Sequence, residues 1–117
     1  MQTFEQMSVE MLAERMAEAE NNPQVSLQLL DVREPFEVEI ARIVGFENLP
    51  LSSFREWSTQ IKTRFNPEVE TLVLCHHGMR SAQMCDWLVS QGFVNVKNVA
   101  GGIDAYSLQV DRSVPRY

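Results

Sequence analysis

Short apolar runs recur along the chain with stretches of helical period between them, and this alternation is the pattern that most restricts the fold. Leu27-Gln28-Leu29-Leu30-Asp31-Val32 and Thr71-Leu72-Val73-Leu74 read as short buried strands. Phe93 to Val99, where valines alternate with polar residues, reads as another, and Gly45 to Leu49 as a brief further one. Ser8 can cap a helix whose Val9, Leu12, Ala13, Met16 and Ala17 share one face, ended by Asn21-Asn22-Pro23. Pro35 stands where a helix can begin. Leu51, Phe54, Trp57, Ile61 and Phe65 have near-helical spacing between Pro50 and Phe65, with Ser52 or Ser53 as cap and Asn66-Pro67 as the stop. A helix from Ser81 carries Ala82, Cys85, Leu88 and Val89 on one face and ends at Gly92. Ile103 to Leu108 forms a last short helix after Gly101-Gly102. The pattern predicts an α/β fold: a central, mostly parallel sheet with helices on both faces. It is expected to be one domain over residues 1–117, since a chain of this length buries roughly 65% of its unfolded surface in a single core.

The charge balance narrows the function. Asp and Glu number 16 against 10 Lys and Arg, a net charge of -6, which argues against a broad nucleic-acid or anionic-membrane surface. An anion bound here must be attracted by local geometry. No apolar run approaches a membrane span, and the residues from Met1 to Gln6 carry no secretory pattern, so a cytoplasmic location is the expectation. Cys75 and Cys85 have neither CxxC spacing nor the number for a disulfide framework, and read as reduced thiols.

The densest chemistry lies in Leu74-Cys75-His76-His77-Gly78-Met79-Arg80-Ser81, between a predicted strand and a predicted helix. In open α/β sheets, ligands sit beyond the carboxyl ends of the strands. A helix start presents unpaired N–H groups and the positive end of the dipole, which favour anions and thiolates. Gly78 lets the backbone turn so that its amides converge, and Arg80 adds a planar cationic fork. A cysteine at a strand end is commonly a small packed residue, but this surrounding favours a reactive Cys75. Cys85, on the apolar face with Ala82 and Leu88, reads as a packed core thiol. His76 and His77 could ligate a metal, yet neighbouring residues do not readily converge on one ion and no second pair stands at zinc spacing, so no metal is expected. Arg33 and Arg42 read as solvated or ion-paired surface residues, and Trp57 and Trp87 as helix-face packing.

These residues resemble the rhodanese family of sulfurtransferases along nearly the whole chain. Leu30-Asp31-Val32-Arg33-Glu34-Pro35 with Glu37 is similar to the family's first motif, Cys75 to Ser81 to its active-site loop, and Gly101-Gly102-Ile103-Asp104-Ala105-Tyr106 to its C-terminal motif. Two stretches depart. Ala41-Arg42-Ile43-Val44-Gly45-Phe46 stands where Gly-His-Ile and then Pro-Gly-Ala are usual, and Tyr106 where tryptophan is common. The resemblance implies a single-domain rhodanese-like three-layer domain that moves sulfane sulfur through a persulfide on Cys75. The backbone amides of His76, His77, Gly78, Met79, Arg80 and Ser81 would bind the terminal sulfur. It implies a small donor such as thiosulfate, with cyanide or a thiol, a protein thiol included, as acceptor, and no cofactor; a monomer is the default. Cysteine-loop phosphatases and arsenate reductases of this fold have one more residue between Cys and Arg than the four separating Cys75 from Arg80. Binding or regulatory modules of the family usually lack the cysteine. Both remain alternatives, as does a scaffold with an incidental thiol.

Overall fold

The computed structural model describes residues 4–117. Five strands form one sheet in the order β1-β5-β4-β2-β3, and every pairing is parallel. They are β1 (Glu5–Met7), β2 (Leu27–Asp31), β3 (Glu47–Asn48), β4 (Glu70–Leu74) and β5 (Val96–Val99). The helices are α1 (Val9–Asn21), α2 (Pro35–Ile40), α3 (Phe54–Trp57), α4 (Ile61–Arg64), α5 (Met79–Ser90) and α6 (Gly102–Gln109). This is the α/β class that the alternation predicts. Among the described residues, no helix is long and apolar enough to cross a membrane.

Two cores follow from the two faces of the sheet. The central strand β4 is buried at every residue, and its side chains alternate between them. Leu72 and Leu74 join Leu12, Val99 and Ile103 under α1 and α6. Val73, followed by Cys75, joins Leu30, Trp57, Met84, Cys85 and Leu88 under α3, α4 and α5. Phe54, Trp57 and Trp87 close that second core with edge-to-face ring contacts at 4.9–5.9 Å, the packing role expected of the tryptophans.

Several boundaries differ from the sequence reading. Strand β1 was not anticipated; three residues carry almost no periodicity, and the strand exists because β5 offers it hydrogen-bonding partners at the sheet edge. The expected helix from Pro50 to Phe65 is broken into 3₁₀ turns at 51–53 and 58–60 alternating with the short helices α3 and α4. The apolar positions 51, 54 and 57 repeat every three residues, a spacing that tighter winding keeps in line. β5 begins at Val96 rather than near Phe93, because Phe93 belongs to the end of α5: its N–H bonds to Leu88 O at 3.1 Å while that of Gly92 bonds to Val89 O at 3.0 Å. Helix α5 begins at Met79, two residues before Ser81, with Gly78 as N-cap.

The largest correction concerns Arg33. Expected at the surface, it is 0% exposed. Its Nε and Nη2 grip the Asp31 carboxylate at 3.0 and 2.7 Å, Nη2 also reaches Ala41 O at 2.8 Å, and Nη1 donates to Tyr117 Oη at 2.9 Å. The planar fork thus ties the end of β2 to the end of α2, a task that needs several donors in one plane. Arg42 is exposed, as expected. Replacing Arg33 with alanine strands the Asp31 carboxylate, itself 2% exposed, and should lower stability by about 3–5 kcal/mol in urea unfolding.

Candidate active site around Cys75

Cys75 follows the last residue of β4, the middle strand, so its side chain lies at the carboxyl end of the sheet. It is 1% exposed. Two donors face its sulfur: the Gly78 N–H at 3.1 Å and the Ser81 hydroxyl at 3.2 Å. Gly78, at φ +102°, turns the chain from the strand into α5, which sets Met79, Arg80 and Ser81 in the helix's first turn, where backbone N–H groups have no intrahelical acceptor. The fold therefore brings together Cys75, Gly78 and Ser81, and presents first-turn amides beside them. Met79 points outward, 77% exposed.

The loop is held from behind by α6. Ile103 N–H bonds to Cys75 O at 3.0 Å and Asp104 N–H to His76 O at 3.1 Å, so the start of α6 takes the carbonyls of the two residues that leave β4. This requires near contact of backbones. A Cβ on Gly102 would lie 2.3 Å from His76 O and 2.5 Å from Cys75 O, and the residue sits at φ +62°. The Gly101-Gly102 pair is thus a support for the cysteine loop.

Arg80 has a different setting from the one the sequence suggested. Its Nη1 and Nη2 donate to the two oxygens of Glu37 at 2.8 and 2.9 Å. The same carboxylate accepts from the Glu34 N–H at 2.9 Å and from the Tyr117 hydroxyl at 2.9 Å. The Arg80 bonds, the Glu34 amide and Tyr117 together outweigh burial and hold the Glu37 carboxyl at about 2. Arg80 is raised in turn, chiefly by Glu37. Much of the guanidinium charge is therefore neutralised within the fold.

His76 stacks between Tyr117, with ring centroids 3.8 Å apart, and His77, at 3.9 Å. Burial and the neighbouring His77 push the His76 imidazole down, which favours its neutral form. The ligating atoms of His76, His77 and Asp104 lie within 4.8 Å of one another. Stacked rings, however, cannot both place one ion in their planes, and Arg116 Nε holds Asp104 at 2.9 Å. The second thiol is 0% exposed, and burial, then Asp86, pushes Cys85 up to about 12.

Glu37, Tyr117 and Asn98, whose Oδ1 accepts from Ser81 Oγ at 2.5 Å, belong to the site although the sequence did not single out their roles. Glu37 had a signal, standing three residues after Glu34 at a helix start. Asn98 had a fainter one, an amide among strand valines. Tyr117 had none, since it reaches Glu37 only through the fold of the tail.

A family model described as Rhodanese-like domain matches residues 8–109. Rhodanese-like/PpiC domain-containing protein 12, chloroplastic, of Arabidopsis thaliana is 54% identical over 90 residues, covering 77% of this chain and 30% of that protein. Adenylyltransferase and sulfurtransferase UBA4 of Candida glabrata is 35% identical over 96 residues, covering 76% of this chain and 22% of that protein. The chain thus spans a minor part of the length of these relatives. Among solved structures, a rhodanese-like domain protein from Staphylococcus aureus has a TM-score of 0.75 at 21% identity, over 97% of this chain and 99% of that one, a likeness of fold. A rhodanese-related protein from Thermoplasma volcanium has a TM-score of 0.70 at 28% identity over 96% of each chain.

Two measurements check the support of the loop. Gly102→Ala should destabilise the protein by more than the ~1–2 kcal/mol of a left-handed alanine alone, because backbone must also move; thermal unfolding reads this. Glu37 has a folded value of about 2 against an ordinary 4.5, so its stabilisation is complete above pH 4.5 and is lost as pH falls toward 2. The stability gap between wild type and Glu37→Gln should narrow across that window in acid titrations of unfolding.

Proposed function

This chain belongs to the rhodanese-like family, and on that footing we propose that it is a sulfurtransferase working through a persulfide on Cys75. The observation that carries the reading is the sulfur itself, at the end of the central strand and facing an amide and a hydroxyl donor at 3.1 and 3.2 Å. Donors arranged this way stabilise an anionic sulfur.

With thiosulfate as donor, the Cys75 thiolate attacks the outer sulfur. A Cys75 S–S bond forms, the S–S bond of thiosulfate breaks, and its electron pair leaves with sulfite. Cyanide then attacks the terminal sulfur, breaking the Cys75 S–S bond to give thiocyanate and the thiolate again. A thiol acceptor takes the sulfur in the same way, becoming a persulfide. The amides from His76 to Ser81 are assigned to the terminal sulfur, which carries the charge between the two steps. Because Glu37 takes both terminal nitrogens of Arg80, attraction for a donor anion comes mainly from these amides and the α5 terminus. No metal and no cofactor enters the cycle.

The test is intact mass after treatment with thiosulfate. Wild type and Cys85→Ser should each gain one sulfur atom, and Cys75→Ser none, because a serine hydroxyl is not ionised at neutral pH and forms no persulfide. Transfer to cyanide should divide the three proteins the same way. Sulfur uptake by Cys75→Ser, or inactivity of a folded Cys85→Ser, would sink the assignment.

A further inference from the structure

Asn98, in β5, is 2% exposed, and the transfer cycle above makes no use of it. A buried amide is stable only where its donors and its acceptor are matched. Here they are. Nδ2 donates to the Gly78 carbonyl at 3.0 Å and to Gln6 Oε1 at 3.0 Å, and Oδ1 lies 2.5 Å from Ser81 Oγ. The two N–H bonds to carbonyl oxygens decide which end of the amide meets Ser81: the acceptor end.

Ser81 Oγ therefore stands between two acceptors, Asn98 Oδ1 at 2.5 Å and Cys75 Sγ at 3.2 Å, and has one proton to give. While Cys75 is a thiol, its S–H donates to Ser81 Oγ and the Ser81 proton lies on Asn98. Once the thiol proton has passed to solvent, the sulfur carries charge and is the stronger acceptor. The Ser81 hydroxyl then turns to sulfur, and Asn98 Oδ1, still buried beside Oγ, loses its donor. Keeping the anion thus works against an interaction that the neutral form satisfies.

We propose that Asn98 is a positioning residue which governs, through the Ser81 hydroxyl, how readily the Cys75 sulfur is held as an anion. Its Oδ1 competes for the Ser81 proton, and its Nδ2, bonded to the Gly78 carbonyl and to Gln6 Oε1, keeps that oxygen aimed at Ser81. The inference rests on Cys75 being the reacting group, but its readout needs no sulfur donor and so stands apart from the test of sulfur transfer.

The experiment follows alkylation by iodoacetamide against pH in a Cys85→Ser background, where Cys75 is the remaining thiol. Asn98→Ala should displace the pH of half-maximal alkylation downward by about one unit, the scale of one hydrogen bond to a charged group. In Ser81→Ala protein, the same substitution should leave it unmoved. Arg80 on α5, Glu37 on α2, His76 and His77 in the loop, Asp104 on α6 and Tyr117 are the charged and titratable groups around the site. All are common to the proteins compared, so their effect cancels. Asn98→Leu, which keeps the side-chain volume without the acceptor, should repeat the result and replaces alanine if the cavity unfolds the chain. Equal displacement with and without the Ser81 hydroxyl, or no displacement in either, overturns the proposal. The expected displacement in proteins that take up no sulfur would uphold the role of Asn98 and count against the transferase reading instead.

Discussion

The contact on which the site depends is that of the α6 start with the two peptide units after β4. Ile103 and Asp104 donate their N–H groups to the carbonyls of Cys75 and His76. A trans peptide points its N–H opposite to its C=O, so fixing these carbonyls toward α6 also fixes the direction of the amides that follow. The chain then reaches Gly78 already oriented, and a left-handed turn there delivers an N–H to the sulfur and starts α5. Only a residue without a side chain fits at 102, since the nearest backbone oxygen would lie 2.3 Å from a Cβ. The glycine pair and the cysteine loop, far apart in sequence, are one structural unit.

Around this unit, two arginines have separate tasks. Arg33 is enclosed and binds Asp31, Tyr117 and carbonyls of the α2 segment, so it works as a brace. Arg80 is partly exposed and bound to Glu37. The two systems meet at the Tyr117 hydroxyl, which accepts from Arg33 and donates to Glu37. Buried ion pairs of this kind add little net stability over apolar packing, because both charges must be stripped of water. Their consequence here is geometric: α2, the cysteine loop and the tail are held in one arrangement. The stack of Tyr117, His76 and His77 lies over the same junction.

Much of this was legible in the sequence. The strands at β2 and β4 show as short, mostly apolar runs because helices cover both faces of the sheet, and the parallel order follows from the helices between them. Cys75 and Gly78 were legible for a different reason: a cysteine, a glycine and a helix start in immediate succession form a local pattern, and local chemistry survives in local sequence. Ser8 and Gly92 likewise end their helices as read. The start of α5 was read two residues late, since the N-cap is set by the left-handed Gly78 and not by the side chain of Ser81.

What the sequence determined by itself was the class of fold, the place of Cys75 at the end of a strand and the turn that faces it, since each depends on residues within a few positions of one another. The tertiary structure alone decided the partners: Arg33 with Asp31 inside rather than at the surface, Arg80 with Glu37, Tyr117 over His76, and Asn98 beside Ser81. Charge and polarity do not say which distant group will neutralise them. That choice belongs to the packing of β2, β4 and β5 side by side, which brings the ends of three strands to one point, where Arg33 meets Asp31 and Ser81 meets Asn98 out of reach of water.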